Sequence, residues 1–250
     1  MTIMRDVRPI SLALLLAAAL AAPAAGAGPA APHSKDCRAG VLHPVGTGSA
    51  AFAAVVKHRA EAYRKPAGPA LATFGKLNEN GYPTTFAIVG AIVNASCTAS
   101  WYRVQLPMRP NGVTGYVRPA DVAVQKVTAK IEIDLSLREL SFFRAGKLVL
   151  RTPIAVGSSS TPTPVGRYYV NQRILPTDPN GPYGPDALGV SAFSDVLTGW
   201  AQGGPIGIHG TNAPWSIGRA VSNGCIRVPN ATMTRLFALT PGGTPVVIHP

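Results

Sequence analysis

Residues 205–227 read PIGIHGTNAPWSIGRAVSNGCIR, and the fold and function of the chain turn on this stretch. It holds His209, one of five histidines, and Cys225, one of three cysteines, with Gly207, Gly210, Gly218 and Gly224 around them. A Cys and a His sixteen positions apart share neither a helix face nor a strand. They meet only if the chain between them turns back, and Gly210, Asn212, Pro214 and Gly218 are residue types that permit such a turn. The chemistry such a pair offers is nucleophilic: a thiol is only a few per cent thiolate at neutral pH, and a neighbouring imidazole takes its proton. Gly224 ahead of Cys225 lets a substrate approach the backbone and aims amide N–H groups at a developing oxyanion. A buried Cys and a buried His that merely pack are the alternative that spacing alone leaves open.

The order of fixed residues narrows the choice. HG-TN-x-PW-x-IG followed by S-x-GCIR resembles the signature of the L,D-transpeptidase catalytic domain, the YkuD-type family of bacterial cell-wall enzymes. The resemblance implies Cys225 as nucleophile and His209 as its base, with the imidazole oriented by the Gly210 carbonyl. Ser222, Gly224 and Arg227 then shape the site around the thiol. Where many members of the family have His between Ser and Gly, this chain has Asn223, a residue that faces substrate in this reading and carries no proton-transfer role. The run T-P-T-P-x-G-x-Y-x-V at 161–170 resembles the same family, in which it lies between two strands near the site. The likeness extends over residues 130–249, expected to be a β-sandwich with a few short helices.

Residues 1–27 have the form of a secretion signal: Arg5 and Arg8, an apolar run from Ile10 to Ala22, then the small residues Ala25-Gly26-Ala27. The apolar run is short for a membrane span, so an exported chain with no stable span after cleavage is expected, and an uncleaved anchor is the alternative. Residues 28–50, rich in Ala, Pro and Gly, read as a flexible lead-in. The formal charge of +12 favours anionic partners. No Lys/Arg run with interleaved aromatics marks a nucleic-acid binder, so the anionic cell wall is the better fit, or the charge serves solubility alone. Cys37 and Cys97 can pair, which leaves Cys225 free. No C-x-x-C or His/Cys cluster points to a metal, and no cofactor is expected.

Between 51 and 125, short β-type runs (Ala53–Lys57, Phe86–Val93, Trp101–Leu106, Gly115–Val117) alternate with turn clusters, the pattern of a small all-β module. WYRVQLP and GYVRPADV resemble the closing strands of a bacterial SH3-like barrel, which implies either a wall-binding module or a spacer. Trp101, Tyr102 and Tyr116 read as core. Gln125–Lys130 reads as a junction, followed by a strand at 131–136, a hairpin about Ala145-Gly146, and a strand at Arg151–Val156. Pro176–Gly189 is too long for a hairpin turn and reads as an ordered loop beside the site. Tyr183 there, and Trp200 beyond it, are candidate substrate contacts or core residues. Asn230 reads as a helix N-cap, with Met233, Leu236 and Phe237 on the buried face.

The fold expected is therefore mainly β: a small SH3-like barrel followed by a β-rich catalytic domain. The expected function is an exported L,D-transpeptidase in the cell wall, periplasm or extracellular space. It would act on peptidoglycan tetrapeptide stems through a cysteine acyl-enzyme, form 3→3 cross-links, and be acylated by carbapenems. An L,D-carboxypeptidase, a non-catalytic wall-binding protein and an exported cysteine peptidase of another kind are the alternatives.

Overall fold

The computed structural model describes residues 37–199 and 204–250. The expected signal at 1–27, residues 28–36 of the lead-in, and Trp200 lie outside the described residues. The chain is mainly β, as its alternating patterns require. Eight strands come first: β1 Leu42–His43, β2 Ala51–Val56, β3 Arg59–Tyr63, β4 Ala70–Gly75, β5 Thr85–Val93, β6 Ala99–Gln105, β7 Thr114–Val117 and β8 Val122–Val127. They make one antiparallel sheet in the order β4-β3-β7-β6-β5-β2-β8, with β1 on β5. Phe52, Phe86, Tyr102, Val104 and Leu106 fill its own core, while Trp101 and Tyr116 are half-buried. The described part of the lead-in is tied to the sheet, Cys37 by a disulfide to Cys97 and β1 by pairing with β5.

Ten more strands follow: β9 Ala129–Asp134, β10 Glu139–Arg144, β11 Lys147–Pro153, β12 Val156–Gly157, β13 Gly166–Ile174, β14 Ala187–Phe193, β15 Pro205–His209, β16 Ala220–Ser222, β17 Ile226–Arg227 and β18 Pro245–His249. The main sheet runs β11-β10-β9-β18-β13-β14-β15-β17, and β12 and β16 form a separate parallel pair. Helix α1, Asn230–Leu239, packs Met233 and Leu236 into the core with Phe237 against its edge. Ala145 (φ 48°) and Gly146 (φ 80°) make the left-handed two-residue turn that joins β10 to β11. The strand expected at 151–156 is instead the end of β11 and the separate β12, because Pro153 interrupts the ladder. Among the described residues no helix is long and apolar enough to cross a membrane.

The two sheets are closely joined. The expected junction at 125–130 is strand on both sides, leaving only Thr128 between β8 and β9. Ala53 and Val127 of the first sheet belong to the core of the second. Gln105 Nε2 donates to the Arg167 carbonyl at 2.9 Å, and Asn111 exchanges two hydrogen bonds of 2.8 Å with the Phe193 backbone. The Arg109 guanidinium donates to the Ser194 carbonyl at 2.5 Å and lies 5.4 Å from the Phe193 ring centre.

Gly243 marks the tightest point. Its φ is +81°, and a Cβ there would stand 2.2 Å from the Ala53 Cβ. Gly112 has φ +82° but open space around it. Gly243→Ala is therefore expected to cost about 2–4 kcal/mol in urea denaturation, against about 1 kcal/mol for Gly112→Ala. Equal costs would mean that the close approach of the two sheets contributes nothing.

Candidate active site

The strand order solves the problem posed by the sixteen-residue spacing. β15 ends at His209, and β17 lies beside it in parallel register, Ile208 opposite Ile226 and His209 opposite Arg227. Cys225, one residue before β17, therefore falls beside Gly207. The Gly207 N–H donates to Cys225 Sγ at 3.4 Å. His209 is two positions along β15 from Gly207, on the same face, and Gly207 has no side chain to fill the space beside the imidazole.

The imidazole is buried, and its Nδ1 is 2.6 Å from the Gly210 carbonyl. A carbonyl only accepts, so the proton sits on Nδ1 and the Nε2 lone pair is left free. The Tyr183 ring stands edge-to-face on His209 at 5.0 Å. Burial pulls the His209 pKa down to about 4, with the Arg227 charge acting in the same direction against the Gly210 hydrogen bond. Burial also pushes the Cys225 thiol up, partly offset by the Gly207 N–H and Arg227. At neutral pH the pair is thus thiol and neutral imidazole, not an ion pair.

The turn that presents Cys225 is held by hydroxyls. Ser222 Oγ donates to the Cys225 carbonyl at 2.6 Å and accepts the Gly224 N–H at 3.1 Å. Thr161 Oγ1 donates to the Ser222 carbonyl at 2.9 Å, and Thr163 Oγ1 to the Gly224 carbonyl at 2.8 Å. The T-P-T-P run is thereby a brace for the Cys225 turn. Gly224 is needed for its φ of +107°, and a Cβ there would meet Ile206 Cδ1 at 3.0 Å. Its N–H, expected to face an oxyanion, is instead taken by Ser222.

Asn230 is not the N-cap. Pro229 occupies that position with no side-chain cap bond, and Asn230 opens the helix. Its Oδ1 accepts the Thr211 N–H at 2.7 Å. It sits in a notch that a Cβ on Gly184 or Gly210 would fill, at 2.7 and 2.5 Å. The 176–186 loop is ordered and anchored there. Gly210 N–H donates to the Asp186 carbonyl at 3.2 Å, and Thr234 Oγ1 to the Asp186 carboxylate at 2.7 Å. Asn230 and Thr163 are positioning residues that motif spacing does not reveal, although both lie in or beside the quoted strings.

A cleft of about 970 Å³ opens over the pair, with His209, Cys225, Gly207 and Tyr183 in its walls. Asn223 is exposed, and neither it nor Ser222, Gly224 or Arg227 is part of the cleft lining. Among the described residues no three His, Cys, Asp or Glu side chains cluster as metal ligands.

Residues 128–248 match the family model of the L,D-transpeptidase catalytic domain, YkuD. The chain is 39% identical over 121 residues to the "Putative L,D-transpeptidase YkuD" of Bacillus licheniformis, covering 48% of this chain and 66% of that one. Its likeness to the Bacillus subtilis protein of the same name is 36% over 119 residues, covering 48% and 65%. The match thus spans just under two thirds of either relative. Among solved structures it is similar to the catalytic domain of the E. faecium L,D-transpeptidase, at 28% identity, 48% of this chain, 96% of that one and a TM-score of 0.35.

Two outcomes follow from the geometry. The His209 pKa is lowered on folding, so the unfolded chain binds the extra proton between about pH 6.5 and 4. The stability present above pH 6.5 is lost as pH falls through that window, by about 3 kcal/mol in all. Denaturation midpoints across the window should show this slope in the wild type and lack it in His209→Gln. Asn230→Ala, which loosens the Gly210 carbonyl, should slow iodoacetamide alkylation of Cys225 about fivefold. Asn230→Asp, which keeps the acceptor, should retain most of the rate.

Proposed function

We propose that the protein, whose residues 128–248 match the family model of the L,D-transpeptidase catalytic domain YkuD, is an exported L,D-transpeptidase that cross-links peptidoglycan stems through a Cys225 acyl-enzyme. The observation that carries this reading is the facing of Cys225 and His209 across β15 and β17, with Nδ1 held by Gly210. Cys225 Sγ attacks the carbonyl of the diamino acid in a tetrapeptide stem while His209 Nε2 takes the thiol proton. Because the resting pair is neutral, proton transfer accompanies attack. With the Gly224 N–H held by Ser222, the Cys225 N–H is left to meet the oxyanion. The C–N bond to D-alanine then breaks, the amine leaves with the proton from His209, and a thioester remains. A neutral side-chain amine of a second stem attacks the thioester, its proton passes to His209 and on to the departing thiolate, and a 3→3 cross-link results. Water in that role makes the enzyme an L,D-carboxypeptidase.

Export is supported by the 1–27 pattern and by the Cys37–Cys97 disulfide, which suits an oxidising compartment. In this reading the first sheet is the SH3-like module that meets the wall, and a carbapenem acylates the same thiol. No cofactor takes part in these steps.

Intact-mass spectrometry of the full chain with a disaccharide-tetrapeptide, and separately with a carbapenem, tests the reading, with Cys225→Ala as control. A covalent adduct on the wild type alone, with dimeric cross-linked product, is the expected result. An adduct with tripeptide and no dimer points to the carboxypeptidase. A folded protein with a titratable thiol and no adduct overturns the acyl-enzyme and leaves a wall-binding role.

A further inference from the structure

The cleft over Cys225 is not built by the catalytic half alone. One wall comes from β13, β14 and the 176–186 loop. The other comes from the first sheet: Thr73, Phe74 and Gly75 at the end of β4, then Leu77 to Asn80 in the loop to β5, and Thr84-Thr85. That loop is shaped before any ligand arrives. Asn78 Oδ1 accepts the N–H groups of Asn80 and Tyr82, each at 3.0 Å, and the Thr84 N–H closes on the Lys76 carbonyl at 2.9 Å. Asn80 Nδ2 donates to Gln172 Oε1 at 2.6 Å, which fastens the loop to β13 across the cleft end.

The charge of this cleft runs against that of the protein. The chain has 23 Lys and Arg against 11 Asp and Glu, yet among the described residues no Lys or Arg lines the cleft. Two carboxylates do, Glu79 from the first sheet's loop and Asp178 from the loop after β13. His209, whose pKa is about 4, adds no positive charge at neutral pH. Asn171, in the same wall, keeps a buried Oδ1 that has no donor among the described residues. A cleft with a carboxylate on each side and an unpaired acceptor in the β13 wall, set in a cationic protein, focuses attraction on a cation.

We propose that the first sheet is half of the substrate cleft, and that Glu79, with Asp178 across from it, selects stem peptides whose diamino acid carries a free side-chain ammonium. This rests on the transpeptidase reading for the identity of the stem. It adds the wall that reads the stem and the group that is read. Leu77 and Phe74 lie beside the carboxylate as apolar contacts for the aliphatic part of the same residue.

The test measures binding to the full chain carrying Cys225→Ala, at low ionic strength, by calorimetry. The ligands are a disaccharide-tetrapeptide with its side-chain amine free and the same compound with that amine acetylated. The free-amine stem is expected to bind about tenfold tighter. Glu79→Lys should abolish most of that preference, and Glu79→Gln part of it. Titration with the free-amine stem should also shift the backbone amide resonances of residues 73–80, a readout that needs no variant at Glu79. An unchanged preference in Glu79→Lys, or resonances of 73–80 that stay still while the stem binds, overturns the proposal. If the wild type nonetheless forms the Cys225 adduct, the transpeptidase reading stands and this inference alone falls. If neither stem binds and no adduct forms, both fall.

Discussion

One parallel pairing, β15 with β17, is the constraint on which the site depends. Parallel neighbours need a connection that leaves the sheet and returns, and residues 210–225 are that connection. Its register decides the chemistry. With Ile208 opposite Ile226, the thiol arrives beside the Gly207 N–H, and the imidazole stands on the same face of the strand. A slip of one residue would turn His209 to the opposite face of the sheet. The braces around the pair, Thr161 and Thr163 on one turn and Asn230 on the other, all act to hold that register at its two ends.

Burial then sets the protonation state. The same packing that fixes the imidazole removes it from water, and desolvation outweighs the single hydrogen bond that favours its cation. The thiol is held neutral by the same cause. A neutral thiol is a slow target for oxidants, because it is the thiolate that reacts. In the proposed reaction the thiol is therefore deprotonated only as a carbonyl comes within reach, attack and proton transfer proceeding together.

The quoted strings show which parts of this were readable from residue order. HG…S-x-GCIR and T-P-T-P carry the residues that touch the thiol turn, and short-range turn chemistry places them. The alternation from 131 and the Ala145-Gly146 turn were legible for the same reason, both being set by neighbours within a few positions, although the strand expected to reach 136 ends at Asp134 and gives way to a turn. What could not be read lies in contacts between distant segments. Asn230 looked like a helix cap because capping is the local use of Asn, whereas a backbone N–H nineteen residues upstream claims its oxygen. The Gly224 N–H, by its position before Cys225 a donor for an oxyanion, is held by Ser222 Oγ. Glu79, in an unremarkable turn of the first sheet, lines the cleft only because two sheets pack together, and nothing in its own surroundings signals that.

The packing of Ala53 against Gly243 bears on how this chain can be divided. The family resemblance begins near residue 128, which invites dissection of the molecule at that point. The sheets do part there, but the core does not: Ala53 and Val127 are buried among side chains of the C-terminal half. A fragment cut at Thr128 would bare that apolar surface and lose one bank of its own cleft. The two sheets therefore share one buried surface, so a change of side-chain volume on either bank of it is felt by the other.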